Sequence, residues 1–342
     1  MIDLRQLKPF SLARTPTPFR VLSEGVVPGG VLSLKDESCS GHLYGGNKVR
    51  KLEYLLADAK AQGATRVATC GAIGSNHCLA TAFYAREYGF TPVLHHFPQE
   101  VTEHVLGNLL ALSTLPVELV HYDGIDEWLS GTREAAQRAE SGDSSLYWIP
   151  AGGTTPLGAL GFVHAAYEMA EQCAESGLPL PDRIYVPVGT AGTLIGLALG
   201  FSLLDARTEV VGVQVTPPTI VNEAIVERIG TAAARIWSGS DSDAAWQSAN
   251  WTLRNEFLGD GYGIPTASGN AAVDWAEANF SLHLENTYTA KCVAALRADI
   301  DSGACDSMHV TYGYTLNQVE LPRPSWQEAR EALPEKYRSY LE

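Results

Sequence analysis

The sequence predicts an α/β fold of two open, mostly parallel twisted sheets. Three observations point there. The chain has 342 residues, more than one hydrophobic core ordinarily organises. Short apolar runs of strand length alternate with stretches of helical periodicity, the pattern of parallel βαβ units. A polar, glycine-rich stretch, Ala151-Gly152-Gly153-Thr154-Thr155-Pro156, separates two such sets. A cleft between two α/β domains is a standard ligand site, with strand C-termini and helix N-termini facing it.

The elements follow in order. Thr15-Pro16-Thr17-Pro18 is a loop signal, and residues 31–35 read as a short strand. From residue 51 the pattern is helical, with Leu52, Leu55, Leu56 and Ala59 on one face, and Gly63 ends the helix. Residues 66–73 read as a buried strand, 76–88 as a helix closed by Gly89, and 92–97 as a strand. Residues 105–112 are helical and 117–121 strand-like. In the second half, residues 184–188 and 210–215 are strands around a helix over 194–204. Residues 236–250 read as a loop or a helix connection.

Charge narrows the function. The net charge is −15, with no Lys/Arg stripe, which argues against nucleic acid and anionic membrane as partners. No apolar stretch is long enough to span a membrane. Cys39, Cys70, Cys78, Cys173, Cys292 and Cys305 contain no CxxC pair and read as buried free thiols. The opening Met1-Ile2-Asp3-Leu4-Arg5 lacks a signal-peptide apolar core. A cytoplasmic location is expected. HxxxH, HExxH, zinc spacing and GxSxG are absent, so no metal is expected. His95-His96 lies in a strand, where adjacent side chains point to opposite faces.

Lys48 is the most informative residue. It lies in Gly45-Gly46-Asn47-Lys48-Val49-Arg50-Lys51, a glycine turn feeding a helix. Such a lysine either bonds covalently to a carbonyl carbon or is an ordinary solvated side chain. Gly189-Thr190-Ala191-Gly192-Thr193 follows an apolar strand and opens a helix. It reads as a phosphate cradle or a plain tight turn, and it matches neither a Walker A loop nor GxGxxG. Ser75-Asn76-His77, at another strand-to-helix junction, suits a carboxylate or is simply an N-cap. Tyr262, among glycines, is a pocket wall, an acid/base hydroxyl or a loop anchor. Tyr288-Thr289 precedes a helix beginning near Lys291.

Together these stretches resemble the pyridoxal-phosphate enzymes of the D-cysteine desulfhydrase and 1-aminocyclopropane-1-carboxylate (ACC) deaminase family. The likeness rests on residues 45–59, 75–77, 152–162, 188–193, 261–265 and 288–291. It implies a tryptophan-synthase β-like (type II) fold with pyridoxal 5'-phosphate between the domains. Residues 1–50 with 160–342 would form the larger domain and 51–159 the smaller, in a homodimer acting on a small amino acid. Lys48 matches the lysine that carries the cofactor. Lys51, Gly189, Thr190, Ala191, Gly192 and Thr193 match the phosphate-binding groups. Asn76 matches the ring neighbour on the hydroxyl side and Thr289 the group beside the pyridine nitrogen. Ser75 and His77 match the turn that receives the substrate carboxylate, and Tyr262 and Tyr288 the two tyrosines over the substrate.

The resemblance further implies a lyase in which the Lys48 amine takes the α-proton, a β-substituent leaves, and hydrolysis gives a 2-oxo acid and ammonia. ACC has no α-proton, and ACC deaminases are similar here but carry Glu at the position of Thr289 and Gln at that of His77. A neutral hydroxyl suits carbon–sulfur β-elimination, with D-cysteine as first expectation and ACC, or another β-substituent such as that of cysteate, as alternatives. A non-catalytic binding protein of the same fold is a further alternative. The chain departs from the family pattern at Ala72, Gly74, Leu79 and Ala80. It departs again at Tyr312, where a His-Thr-Gly-Gly turn is usual.

Overall fold

In a computed structural model, residues 8–342 are described; the opening run 1–5 lies outside them. The described chain begins with strands β1 (Phe19–Ser23) and β2 (Val31–Asp36). A regular alternation follows: α1 (Lys48–Ala61), β3 (Arg66–Ala72), α2 (Asn76–Glu87), β4 (Thr91–Phe97), α3 (Glu103–Ser113), β5 (Glu118–His121), α4 (Ile125–Glu140) and β6 (Leu146–Ile149). Helix α5 (Pro156–Glu175) leads into β7 (Arg183–Val188), α6 (Gly192–Leu203), β8 (Glu209–Gln214), α7 (Glu223–Ser238), α8 (Ala244–Gln247) and β9 (Trp251–Arg254). The chain closes with α9 (Ala267–Phe280), α10 (Thr289–Asp301), β10 (His309–Tyr314), α11 (Trp326–Ala332) and α12 (Glu335–Arg338).

The strands form two sheets, ordered β1-β2-β10-β7-β8-β9 and β5-β4-β3-β6. All neighbours are parallel except β1, which pairs antiparallel with β2 at an edge. This is the α/β, mostly parallel architecture the alternation predicts. One apolar cluster, including Leu52, Leu94 and Leu194, spans both sheets. A second, with Val211, Ala290 and Tyr312, lies on the other face of the larger sheet.

Several expectations need correction. Helix α1 starts at Lys48 rather than residue 51, because Gly46 takes φ +79° and turns the chain directly into it. Residues 236–250 resolve into the end of α7, a loop and the short α8. Helix α10 starts at Thr289, two residues early, because the Glu285 carboxylate accepts the N–H groups of Tyr288 and Thr289 at 2.7 and 2.8 Å and caps it. Residues 310–314, to which the sequence assigns no element, belong to a central strand with Tyr312 fully buried. Five cysteines are buried, but Cys39 is exposed in the turn after β2. His95 and His96 do point apart, to Tyr122 and Tyr337. Among the described residues no helix is long and apolar enough to cross a membrane, and no cluster of metal-ligating side chains occurs.

Candidate active site

Helix α1 presents two unlike faces. Arg50 points into a buried charge network. Its guanidinium donates to Glu37 Oε2 at 2.7 Å, to Glu37 Oε1 at 2.9 Å and to both oxygens of Glu168. Lys35 also reaches Glu168, at 2.5 Å, and donates to the Thr17 carbonyl. Burial alone would raise the Glu168 carboxyl, but Arg50 and Lys35 hold it down at about 2. This network ties α1 to β2 and α5.

Lys48 and Lys51, three residues apart, share the other face. Both line a cavity of about 360 Å³ between the two sheets. Lys48 is half-buried and Lys51 buried, and neither has a carboxylate partner among the described residues. Burial lowers the Lys48 amine to about 8. Burial, then the neighbouring Lys48, pushes Lys51 well below the usual lysine value. Lys51 donates to the Gly152 carbonyl at 3.2 Å.

The turn between β7 and α6 forms the adjoining floor. Ala191 adopts φ +70°, unusual for a residue with a Cβ, and α6 begins without a side-chain cap. The Gly192 N–H donates to Thr154 Oγ1 at 3.3 Å, and the turn from Gly189 to Thr193 lines the cavity. A Cβ on Gly192 would lie 2.7 Å from Lys51 Nζ, so glycine lets the lysine come onto the turn. Thr190 and Thr154 share a hydroxyl hydrogen bond of 2.7 Å, and Asn47 donates to Thr193 Oγ1 at 2.9 Å. A helix start beside a lysine without an acid fits a phosphate, and Lys48 beside it fits the carbonyl end of the same group.

The opposite wall is donor-rich. Ser75 is the N-cap of α2, accepting from Cys78 N at 3.3 Å, so the simple capping role applies as well. Asn76 Oδ1 receives three hydrogen bonds: Tyr44 Oη at 2.8 Å, His104 Nε2 at 2.9 Å and Asn108 Nδ2 at 3.0 Å. Asn108 Nδ2 also donates to the Gly74 carbonyl, which fixes its amide orientation. Asn76 must then present oxygen to it and retain its N–H₂ for the cavity. Thr69 spends its proton on the Ile149 carbonyl, so His77 Nε2–H donates to Thr69. Nδ1 of His77 is left as a buried acceptor without a partner. Burial, with Lys48 and Lys51 nearby, keeps this ring neutral. The backbone N–H groups of the turn, rather than the imidazole, are its donors for a carboxylate.

Tyr262 and Tyr288 meet over the cavity, their hydroxyls 2.7 Å apart and their rings edge to face. Burial raises Tyr262 to about 12 and Tyr288 well above its ordinary value, so both stay protonated. Thr289 lies at the start of α10. It accepts from the Glu285 N–H at 2.7 Å and donates back to Glu285. Every catalytic, cofactor- or substrate-binding candidate read from the sequence thus lines this one cavity.

Sequence reasoning missed four residues: Tyr44, His104, Asn108 and Glu285. The first three converge on Asn76 from separate elements and belong to no motif. Glu285 lies three residues before Tyr288, outside every stretch that carried the reading.

Two parallel α/β sheets, a lysine-floored cavity and a phosphate-shaped turn define an enzyme class built around a phosphorylated carbonyl cofactor. The chain belongs to the pyridoxal-phosphate dependent enzyme family, whose model matches residues 10–309. It is 34% identical over 298 residues to a D-cysteine desulfhydrase of Serratia proteamaculans, covering 86% of this chain and 88% of that one. It is 35% identical over 288 residues to a Thermotoga maritima protein provisionally named a 1-aminocyclopropane-1-carboxylate deaminase, covering 82% and 87%. A crystal structure of an ACC deaminase homologue superposes with a TM-score of 0.79 at 26% identity, over 97% of this chain and 98% of that one. A threonine deaminase from Solanum lycopersicum, at 15% identity and TM-score 0.61 over 96% and 86%, shares the fold.

Proposed function

We propose that this protein is a pyridoxal-phosphate-dependent lyase that carries out β-elimination on a small amino acid, with D-cysteine giving pyruvate, sulfide and ammonia. One observation carries the reading: Lys48 and Lys51 line one cavity, neither paired with a carboxylate, beside the start of α6, which Ala191 does not cap. Lys48 would hold the cofactor's carbonyl carbon. Lys51, Thr190, Thr193 and the backbone of Gly189, Ala191 and Gly192 would hold its phosphate. Asn76 would offer its N–H₂ to the ring hydroxyl side, and Thr289 a neutral hydroxyl to the ring nitrogen. When bound, the cofactor supplies an electron sink for charge at the substrate α-carbon.

The protein's residues do the rest. The Ser75 hydroxyl and the N–H groups at the start of α2 bind the substrate carboxylate. Lys48, lowered by burial to about 8, is nearer the working range of a base than an ordinary lysine and accepts the α-proton at Nζ. Tyr262 and Tyr288 hold a proton at a phenol oxygen, available to a departing sulfur. Thr289 brings no charge to the ring nitrogen. Asn76, between three donors, cannot swing away.

A second reading, ACC deamination, is favoured by the Glu285 carboxylate, which also lines the cavity. Its oxygens are occupied by the N–H groups of Thr287, Tyr288 and Thr289, which is why β-elimination is preferred. Among the described residues the cavity's only lysines are Lys48 and Lys51 and no arginine lines it, so the sulfonate of cysteate lacks a cation of its own there. A homodimer in the cytoplasm is part of the proposal. The test is a panel of D- and L-amino acids and ACC with purified holoenzyme. Pyruvate with sulfide supports β-elimination and 2-oxobutyrate supports ACC deamination. Binding without ammonia release across the panel would reduce the protein to a non-catalytic binder.

A further inference from the structure

The cavity is lined by two kinds of side chain. The lysines, Ser75 and the 189–193 turn are polar. Phe97 at the end of β4, Ile125, Trp128 and Leu129 of α4, and Ile220 after β8 are apolar. Among the described residues seven large apolar side chains are exposed, and three of them, Ile125 (47%), Leu129 (42%) and Ile220 (39%), line this one cavity. Ile125 and Leu129 lie one helical turn apart on α4, on the side of the smaller sheet. Ile220 faces from the side of the larger one.

Exposed apolar side chains gathered at one place mark a surface that is covered when the protein works. Here the surface is continuous with the site, so the molecule in the site is the occupant. The amino and carboxylate groups of an amino acid belong with the polar lining. Only the β-substituent remains to meet the apolar wall. A bare thiol is too small to cover it, and a charged substituent would be left there without a counter-ion.

We infer that the β-substituent this chain prefers is an apolar thioether, so that S-alkyl- or S-arylmethyl-cysteines are better substrates than cysteine itself. This rests on the β-elimination reading. The reaction is R–S–CH₂–CH(NH₃⁺)–COO⁻ plus water giving R–SH, pyruvate and ammonium. The Cβ–S and Cα–N bonds break, water supplies the keto oxygen, and the sulfur leaves with its electron pair and takes up a proton. No oxidant or reductant is consumed.

The experiment uses purified holoenzyme with both enantiomers of cysteine, S-methylcysteine and S-benzylcysteine, measuring pyruvate, ammonia and released thiol. For the preferred enantiomer, kcat/KM for the benzyl compound exceeds that for the methyl compound by roughly 10- to 100-fold, the value of burying one phenyl-sized group. Cysteine is poorer still. Replacing Ile125→Asn together with Leu129→Asn lowers the benzyl-to-methyl ratio by about tenfold, with an unchanged melting temperature because both side chains are exposed. Cysteine turned over as well as or better than the benzyl compound overturns the inference and leaves β-elimination standing. No ammonia from any of the six compounds, or from the wider panel, overturns β-elimination itself. A ratio unmoved by the double substitution, with a change in oligomeric state, would assign the apolar patch to contact with a second copy and also overturn it.

Discussion

Two pairs of basic side chains meet at helix α1, and their surroundings differ. Arg50, with Lys35 from β2, meets Glu37 and Glu168, so the positive charges are balanced inside the protein. Lys48 and Lys51, on the opposite face, meet no carboxylate and repel each other. The first pair completes the fold. The second leaves a site that only a bound anion and a carbonyl complete. Removing a partner from the first should therefore unfold the protein, whereas removing a lysine from the second should relieve it.

The largest expected effect tests the balanced side. Glu37→Ala leaves the fully buried Arg50 short of two hydrogen bonds, and urea unfolding should show a loss of about 3–5 kcal/mol. A loss under 1 kcal/mol would make the network ornamental. The next tests the unbalanced side through pH. Burial lowers Lys48 from 10.5 to about 8, so between these values the unfolded chain holds a proton that the folded chain lacks. Stability then rises with pH across that window. In cofactor-free protein, Lys48→Met should be more stable than the parent by about 2–3 kcal/mol at pH 7, with the gap closing toward pH 10.5. A pH-independent gap would contradict the unpaired lysine.

Smaller effects concern the cofactor. Lys51→Met should weaken its binding by about 10- to 100-fold, the worth of a charged hydrogen bond, as read by equilibrium dialysis. Asn108→Asp turns a donor to Asn76 into an acceptor. It should weaken binding by about tenfold and shift the visible spectrum of the bound cofactor, while Asn108→Ser, which keeps a donor, should recover part of both. An unchanged spectrum would mean that the Asn76 amide orientation is immaterial.

How much was legible in the sequence follows from what each feature depends on. Lys48, Ser75-Asn76-His77 and 189–193 sit at strand-to-helix junctions, and such junctions can be read from local pattern. Strand β6 could not be, because its four mostly half-buried residues are too few to carry a period. Helix α4 was legible but overlooked: Trp128, Thr132 and Ala135 mark a buried side on an otherwise charged helix. Tyr44, His104 and Asn108 reach Asn76 across 28–32 residues of sequence, a convergence made by tertiary packing alone. The apolar lining of the cavity was hidden for the same reason, because Ile125, Leu129 and Ile220 come from opposite sides of the cleft.

The central claim is that Lys48, and not its neighbour Lys51, carries the cofactor. Borohydride reduction of the holoenzyme, followed by proteolysis and peptide mass spectrometry, tests it directly. The expected result is a cofactor-derived mass increase on Lys48 alone. The same increase on Lys51 or Lys291, or none on any lysine of a protein that holds the cofactor, would contradict the account.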